Sequence, residues 1–118
     1  MKVNLAYYTI PGLRRTKTTE DDIISFICDY FKLTRAELMQ KNRTRERKEA
    51  RFICFALLRF NTRLTLVAIA KIFGFDHSSI IHGIKTHHNL MHTEPEYKER
   101  FQEIEFLLKL KSHTQNAK

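Results

Sequence analysis

Turn-forming residues are scarce in this 118-residue chain, which has three Gly and two Pro. That scarcity disfavours sheet-rich folds, whose hairpins depend on tight turns. Cysteine is limited to Cys28 and Cys54, both within apolar helical runs and at no metal-type spacing. Two buried thiols in a reducing cytosol are expected, not a disulfide framework. The first residues, Met1 to Arg15, hold no apolar leader stretch, and no run approaches membrane-spanning length. A soluble, cytoplasmic protein without a membrane partner is the expectation. A glycine-rich phosphate loop ending in Gly-Lys-Ser/Thr is also missing, because Gly12, Gly74 and Gly83 stand apart. Nucleotide binding and ATP hydrolysis are therefore not expected. His87, His88 and His92 raise the question of zinc, since His88 and His92 lie one helical turn apart, but no third ligand stands at a telling spacing. They are expected to be surface and half-buried histidines whose protonation near pH 6.5 adds charge beside a polyanion. The chain is accordingly expected to be a non-enzyme, with no catalytic residues, metal or cofactor.

Positive charge and apolar side chains are what the sequence has in quantity. Lys and Arg number 21 against 13 Asp and Glu, a net charge of +8. Such a balance suits a polyanion, either nucleic acid or an anionic membrane surface. Apolar residues make up 42%, nine Phe among them, enough for one modest core.

Periodicity predicts an all-α fold, a compact bundle of about six helices. Residues 1–17, with Tyr7, Tyr8, Arg14, Arg15 and Lys17, show no sustained period and are read as an arm or tether. A first helix begins near Thr18 or Thr19, where a hydroxyl caps free amides and Glu20, Asp21 and Asp22 suit the dipole. Its apolar positions are Ile23, Ile24, Ile27, Cys28 and Phe31. Thr34-Arg35-Ala36-Glu37 is a capping box opening a short helix through Met39. Lys41, Arg43, Arg45, Arg47, Lys48 and Arg51 then stand against only Glu46 and Glu49, ahead of the apolar run Phe52 to Leu58. This switch predicts a third helix with a basic, exposed start and a buried end. Helix starts favour acids, so a basic one asks for a reason, and a phosphate ligand supplies it.

Leu66, Ile69, Ala70 and Phe73 form one stripe of a fourth helix, capped by Thr65 and ended by Gly74. Asp76 is placed to cap a fifth helix that runs to about Met91. Thr93-Glu94-Pro95-Glu96 reads as another capping box, opening a last helix to about Lys111. The folded domain is thus expected over residues 18–111, followed by a polar tail over 112–118.

Two helices joined by a tight, Gly-containing turn within residues 65–91 form a helix-turn-helix. The second of them carries its apolar positions at Ile80, Ile81, Ile84 and Met91. Ser78, His82, Lys85 and Asn89 lie along the opposite stripe, and each can donate a hydrogen bond to a phosphate or base edge. That stripe has no acid, whereas surface helices usually mix Glu with Lys. In the first turn, Asp76 can cap and can also accept from a cytosine amino group. His77, Ser78 and Ser79 are short enough to bring the helix end close to bases.

The run from Leu66 to His82, with Phe73-Gly74 followed by Asp76-His77-Ser78-Ser79-Ile80-Ile81-His82, resembles the C-terminal DNA-binding domain of DnaA, the bacterial replication initiator. Lys41-Asn42-Arg43-Thr44-Arg45 with Ala50-Arg51 is similar to that family's basic loop, at the same distance upstream. The likeness extends from about Thr18 to Leu108. It implies that Asp76, His77, Ser78 and Ser79 read bases in the major groove and that Arg43 enters the adjacent minor groove. It also implies that Arg45 and Arg51 hold phosphates and that Lys85 is the basic residue of the recognition helix. Lys41, Arg47, Lys48, Thr65 and His82 complete the expected contacts to the DNA backbone. One departure stands at the turn, where the family usually reads Gly-Gly-Arg before Asp-His. Here Gly74-Phe75 is one residue shorter and has no arginine, which removes or redirects ~1–3 kcal/mol of base discrimination.

The expected function is sequence-preferring binding of double-stranded DNA, in replication control or transcription regulation, by a cytoplasmic, nucleoid-associated protein. An RNA-binding or protein-interaction module is the alternative. RNA recognition usually relies on aromatic stacking platforms, and Tyr7 and Tyr8 are the aromatics lying off the core stripes.

Overall fold

Threonine hydroxyls set three of the six helix starts among the described residues. In the computed structural model, which describes residues 19–41 and 44–116, Thr19 opens α1 (Glu20–Phe31) with a reciprocal capping box. Its Oγ1 accepts from the Asp22 amide and its own amide donates to the Asp22 carboxylate, each at 3.2 Å. Thr34 repeats the device with Glu37 to open α2 (Arg35–Met39). α3 (Arg45–Asn61) has no side-chain cap at Thr44. Thr65 Oγ1 accepts from the Ala68 amide to start α4 (Leu66–Phe73). α5 (His77–Thr93) and α6 (Pro95–Asn116) complete the fold. Among the described residues the chain forms the expected all-α bundle, with six helices and no strand.

α3 is the hub. Its apolar run from Ile53 to Leu58 is buried on every side, because α1, α2, α4 and α5 all pack against it. α6 closes the bundle over α1 and α5 with Tyr97, Phe101, Ile104 and Leu108, a stripe at helical spacing. Cys28 and Cys54 are both buried and unbridged. No helix among the described residues is long and apolar enough to cross a membrane.

Three expectations need correction. The basic start of α3 is not exposed throughout, because Glu49, Ala50 and Arg51 are buried. The motif Thr93-Glu94-Pro95-Glu96 is not a capping box. Thr93 belongs to the last turn of α5, where its hydroxyl donates to the Asn89 carbonyl at 2.9 Å. Extended Glu94 links the helices, and its carbonyl takes the first α6 bond, from the Lys98 amide at 3.0 Å. Finally, α6 continues past Lys111 to Asn116, so most of the expected tail is helical backbone. The arm predicted over 1–17 lies outside the described residues.

Gly74 ends α4 in the left-handed conformation, φ 72°. Its amide donates to the Lys71 carbonyl, and the Phe75 amide reaches back to Ala70 at 2.9 Å. A methyl group at Gly74 meets nothing within 4 Å, so alanine adds backbone strain alone. Gly74→Ala is expected to cost about 1 kcal/mol in chemical denaturation. A more stable Gly74→Ala protein would contradict the left-handed assignment.

Candidate nucleic-acid interface

α4, the Gly74-Phe75 turn and α5 form the helix-turn-helix. α5 is fixed from behind by Ile80, Gly83 and His87, which are buried. Its opposite face carries the expected stripe, with Ser78, His82, Lys85 and Asn89 all exposed. Asp76 and His77 are exposed as well, and Ser79 is half-buried. Asp76 occupies the N-cap position, but its carboxylate accepts no capping hydrogen bond. The expectation that it caps by its side chain is therefore overturned. Only its carbonyl serves the helix, accepting from Ser79 and Ile80.

Beside the first turns of α5 an open cleft of about 750 Å³ runs to the start of α3. Lys41, Lys48 and Arg51 line it on one side, and Ser78, Ser79 and His82 on the other. Its floor is aromatic, made by Phe52, Phe55 and Phe75. Packing thus brings six of the predicted contact residues to one cationic depression, with hydroxyl and imidazole groups at its edge. Low-dielectric walls strengthen the field of charges set in such a cleft.

The remaining predicted residues are distributed differently. Arg51 is only 6% exposed. Its Nη1 donates to the carbonyls of Gln40 (2.5 Å) and Leu38 (3.4 Å), so it pins the end of α2. Burial pulls its pKa below the usual value, with the charge of Arg47 adding to the effect. Arg47 reaches Glu37 at 3.1 Å. Arg45 does not line this cleft but a smaller cavity of about 300 Å³, shared with Glu46, Glu94, Glu96 and Tyr97. There its Nε donates to Glu49 at 3.1 Å, and Arg100 donates to the other Glu49 oxygen at 2.9 Å. Lys85 and Thr65 are exposed on α5 and at the start of α4. Arg43 lies outside the described residues.

Several residues that shape the site were not legible beforehand. Gly83 lets α5 settle on Phe55, whose Cδ2 lies 2.6 Å from where a β-carbon would stand. Phe75, in the turn that lacks the family's arginine, packs in a cluster with Phe55 and Phe73 at centroid distances of 6.1 and 5.9 Å. His87, expected on the surface or half-buried, is 2% exposed and shares a 2.7 Å hydrogen bond with the Tyr97 hydroxyl. Burial pushes its pKa down to about 4, with nearby His88 acting in the same direction, so it adds no charge at neutral pH. Among the described residues no three His, Cys, Asp or Glu side chains are placed to hold a metal ion.

Comparison with known proteins agrees with this geometry. Residues 20–86 match the family described as the bacterial dnaA protein helix-turn-helix. The chain is 32% identical over 114 residues to the chromosomal replication initiator protein DnaA of Bacteroides thetaiotaomicron, covering 93% of this chain and 24% of that protein. The Bacteroides fragilis protein of the same name is 32% identical over 92 residues, 77% of this chain and 19% of its own length. That of Neisseria meningitidis is 29% identical over 91 residues, 76% and 18% respectively. The chain thus spans a quarter or less of the length of these relatives. With six helices in place among the described residues and most of them inside the matched span, the chain belongs to the bacterial DnaA helix-turn-helix family.

Proposed function

We propose that this chain binds double-stranded DNA with a sequence preference and catalyses no reaction of its own. The observation that carries this proposal is the pairing of an exposed, acid-free stripe on α5 with the cationic cleft beside its first turn. The N-terminal turn of α5 enters the major groove, where Asp76, His77, Ser78 and Ser79 meet base edges. Asp76 is suited to this because its carboxylate is not spent on capping. Lys41 and Lys48 hold the phosphates of the strand that crosses the cleft, and Arg43 enters the adjacent minor groove. Thr65, His82 and Lys85 add backbone contacts along α4 and α5. Arg45 and Arg47 reach phosphate by leaving their carboxylate partners, and buried Glu49 then keeps Arg100 as its counter-charge.

The relatives are named as replication initiators, and the matched portion is a quarter or less of each. We assign this chain to replication control or transcription regulation on the nucleoid, with no nucleotide of its own.

Selection of bound duplexes from a random pool tests binding and yields the site in one experiment. With that site in hand, His77→Ala and Arg43→Ala are expected to relax base preference by about 1–3 kcal/mol at the positions they read. Lys48→Ala is expected to weaken all duplexes alike and to reduce the salt slope by about one. Equal losses for all three variants on every duplex would rule out base reading by the first two.

A further inference from the structure

We propose that Phe75 is a positioning residue of the interface. Its ring holds Lys41 over the cleft and thereby sets the entrance of the basic segment against the first turn of α5. The proposal rests on the DNA reading above and adds what keeps its two halves in register.

The two halves come from distant parts of the chain, and Phe75 stands where they meet. Its backbone is fixed by the hydrogen bond to Ala70. Its ring is gripped on one side by the Phe55 edge at an interplanar angle of 86° and by tilted Phe73. Two cations of the basic segment approach the same ring. Lys41 Nζ is 5.3 Å from its centroid and the Arg51 guanidinium carbon is 6.0 Å away. Both lie within the range where a ring quadrupole attracts a cation.

Arg51 also donates to the carbonyl of Gln40, the residue next to Lys41. The start of the loop is therefore tied to the recognition turn twice, through Lys41 directly and through Arg51 and Gln40. An exposed lysine with a four-carbon stem would otherwise sample many rotamers, each lost on binding. Lys41 lines the same cleft as Ser78, Ser79 and His82, so holding it there places its ammonium where a DNA phosphate beside α5 would sit. Phe75 itself is only half-buried, so filling the core does not by itself account for an aromatic ring at this position. Leucine fills most of that space but offers no π face.

The test has two arms. In the free protein, the Lys41 ε-methylene protons are expected to be shifted upfield by the ring in the native chain and in Phe75→Tyr, and to return to ordinary values in Phe75→Leu. In duplex titrations over salt, Phe75→Leu is expected to weaken binding about two- to fivefold, with Phe75→Tyr restoring it. Lys41→Met should cost less in the Phe75→Leu background than in the native one, because the two residues act as a unit. Ordinary Lys41 shifts in the native protein overturn the proposal, and this arm needs no variant to fold. Equal costs of Lys41→Met in both backgrounds overturn it too, while leaving DNA binding intact. A native chain that binds no duplex overturns the DNA reading and this role with it.

Discussion

Gly83→Val is expected to lower the stability of the domain by about 3 kcal/mol, and Gly83→Ala by about 1–2 kcal/mol. A β-carbon at this position lies 2.6 Å from Phe55 Cδ2, 2.9 Å from its Cε2 and 3.4 Å from Phe52 Cδ1. Phe55 cannot easily give way. It is 2% exposed, and the ring of Phe73 stands against it at 4.9 Å and 86°. Against this strain, alanine recovers about 1 kcal/mol of helix propensity over glycine. The clash outweighs that gain, and the larger β-branched valine adds to it. Because α5 must then move away from α3, the cleft widens and duplex affinity falls together with stability. Urea denaturation of the single variants and of Gly83→Ala/Phe55→Leu checks the cause. The smaller leucine should relieve the alanine, so the double variant should lose less than the sum of the singles. An alanine variant as stable as the native chain would mean that α5 is not seated on Phe55 as described.

Acid should weaken the fold through His87. The unfolded imidazole titrates near 6.5, while burial holds the native one neutral down to about 4. Between those values the unfolded chain binds more protons, so stability falls as pH drops through this window. His87 contributes its full effect above about pH 6.5 and nothing further is lost below about pH 4. The loss amounts to at most about 3 kcal/mol. The groups around His87 explain why no charge partner rescues it. Tyr97 hydrogen-bonds its Nδ1, Phe101 packs at 4.6 Å, and His88 lies at 5.4 Å. Comparing unfolding at pH 7 and pH 4.5 measures the effect. His87→Gln, which keeps a hydrogen-bonding group and cannot titrate, should remove most of the difference. If native and variant proteins lose the same stability over that range, the buried imidazole is not the cause.

Local chemistry was readable where the partners lie within a few residues of one another. Thr19, Thr34 and Thr65 announce their helices because an N-cap needs only a hydroxyl and the amide three positions on. Gly74 is equally local. The same rule misled at Thr93, where the hydroxyl bonds backward to Asn89 and so closes a helix instead of opening one. It was half right at Asp76, which occupies the cap position without using its side chain. The acid-free stripe of α5 was legible from spacing alone, since one exposed helical face fixes which residues share it.

What stayed hidden depends on partners far away in the chain. Glu49 and Arg51 sit in a charged run and so read as solvent-exposed, yet both are buried. Glu49 is held by Arg100 from α6, and Arg51 by carbonyls at the end of α2. Nothing near them in sequence supplies those partners. His87 is similar, because its burial depends on Tyr97 and Phe101 folding back over it.

The sequence by itself determined the six helices of the described residues, their order, the positive charge and the exposed polar face of α5, all consequences of periodicity and side-chain chemistry within a few turns. Only the tertiary structure decided which basic residues share a cleft with that face. It places Lys41, Lys48 and Arg51 there and sets Arg45 beside Glu94 and Arg100 against Glu49. It also packs the ring of Phe75 against Phe55 and Phe73. The physical reason is that the direction of a charged side chain follows the packing angles between helices, and these depend on contacts such as Gly83 against Phe55 that no stretch of sequence contains.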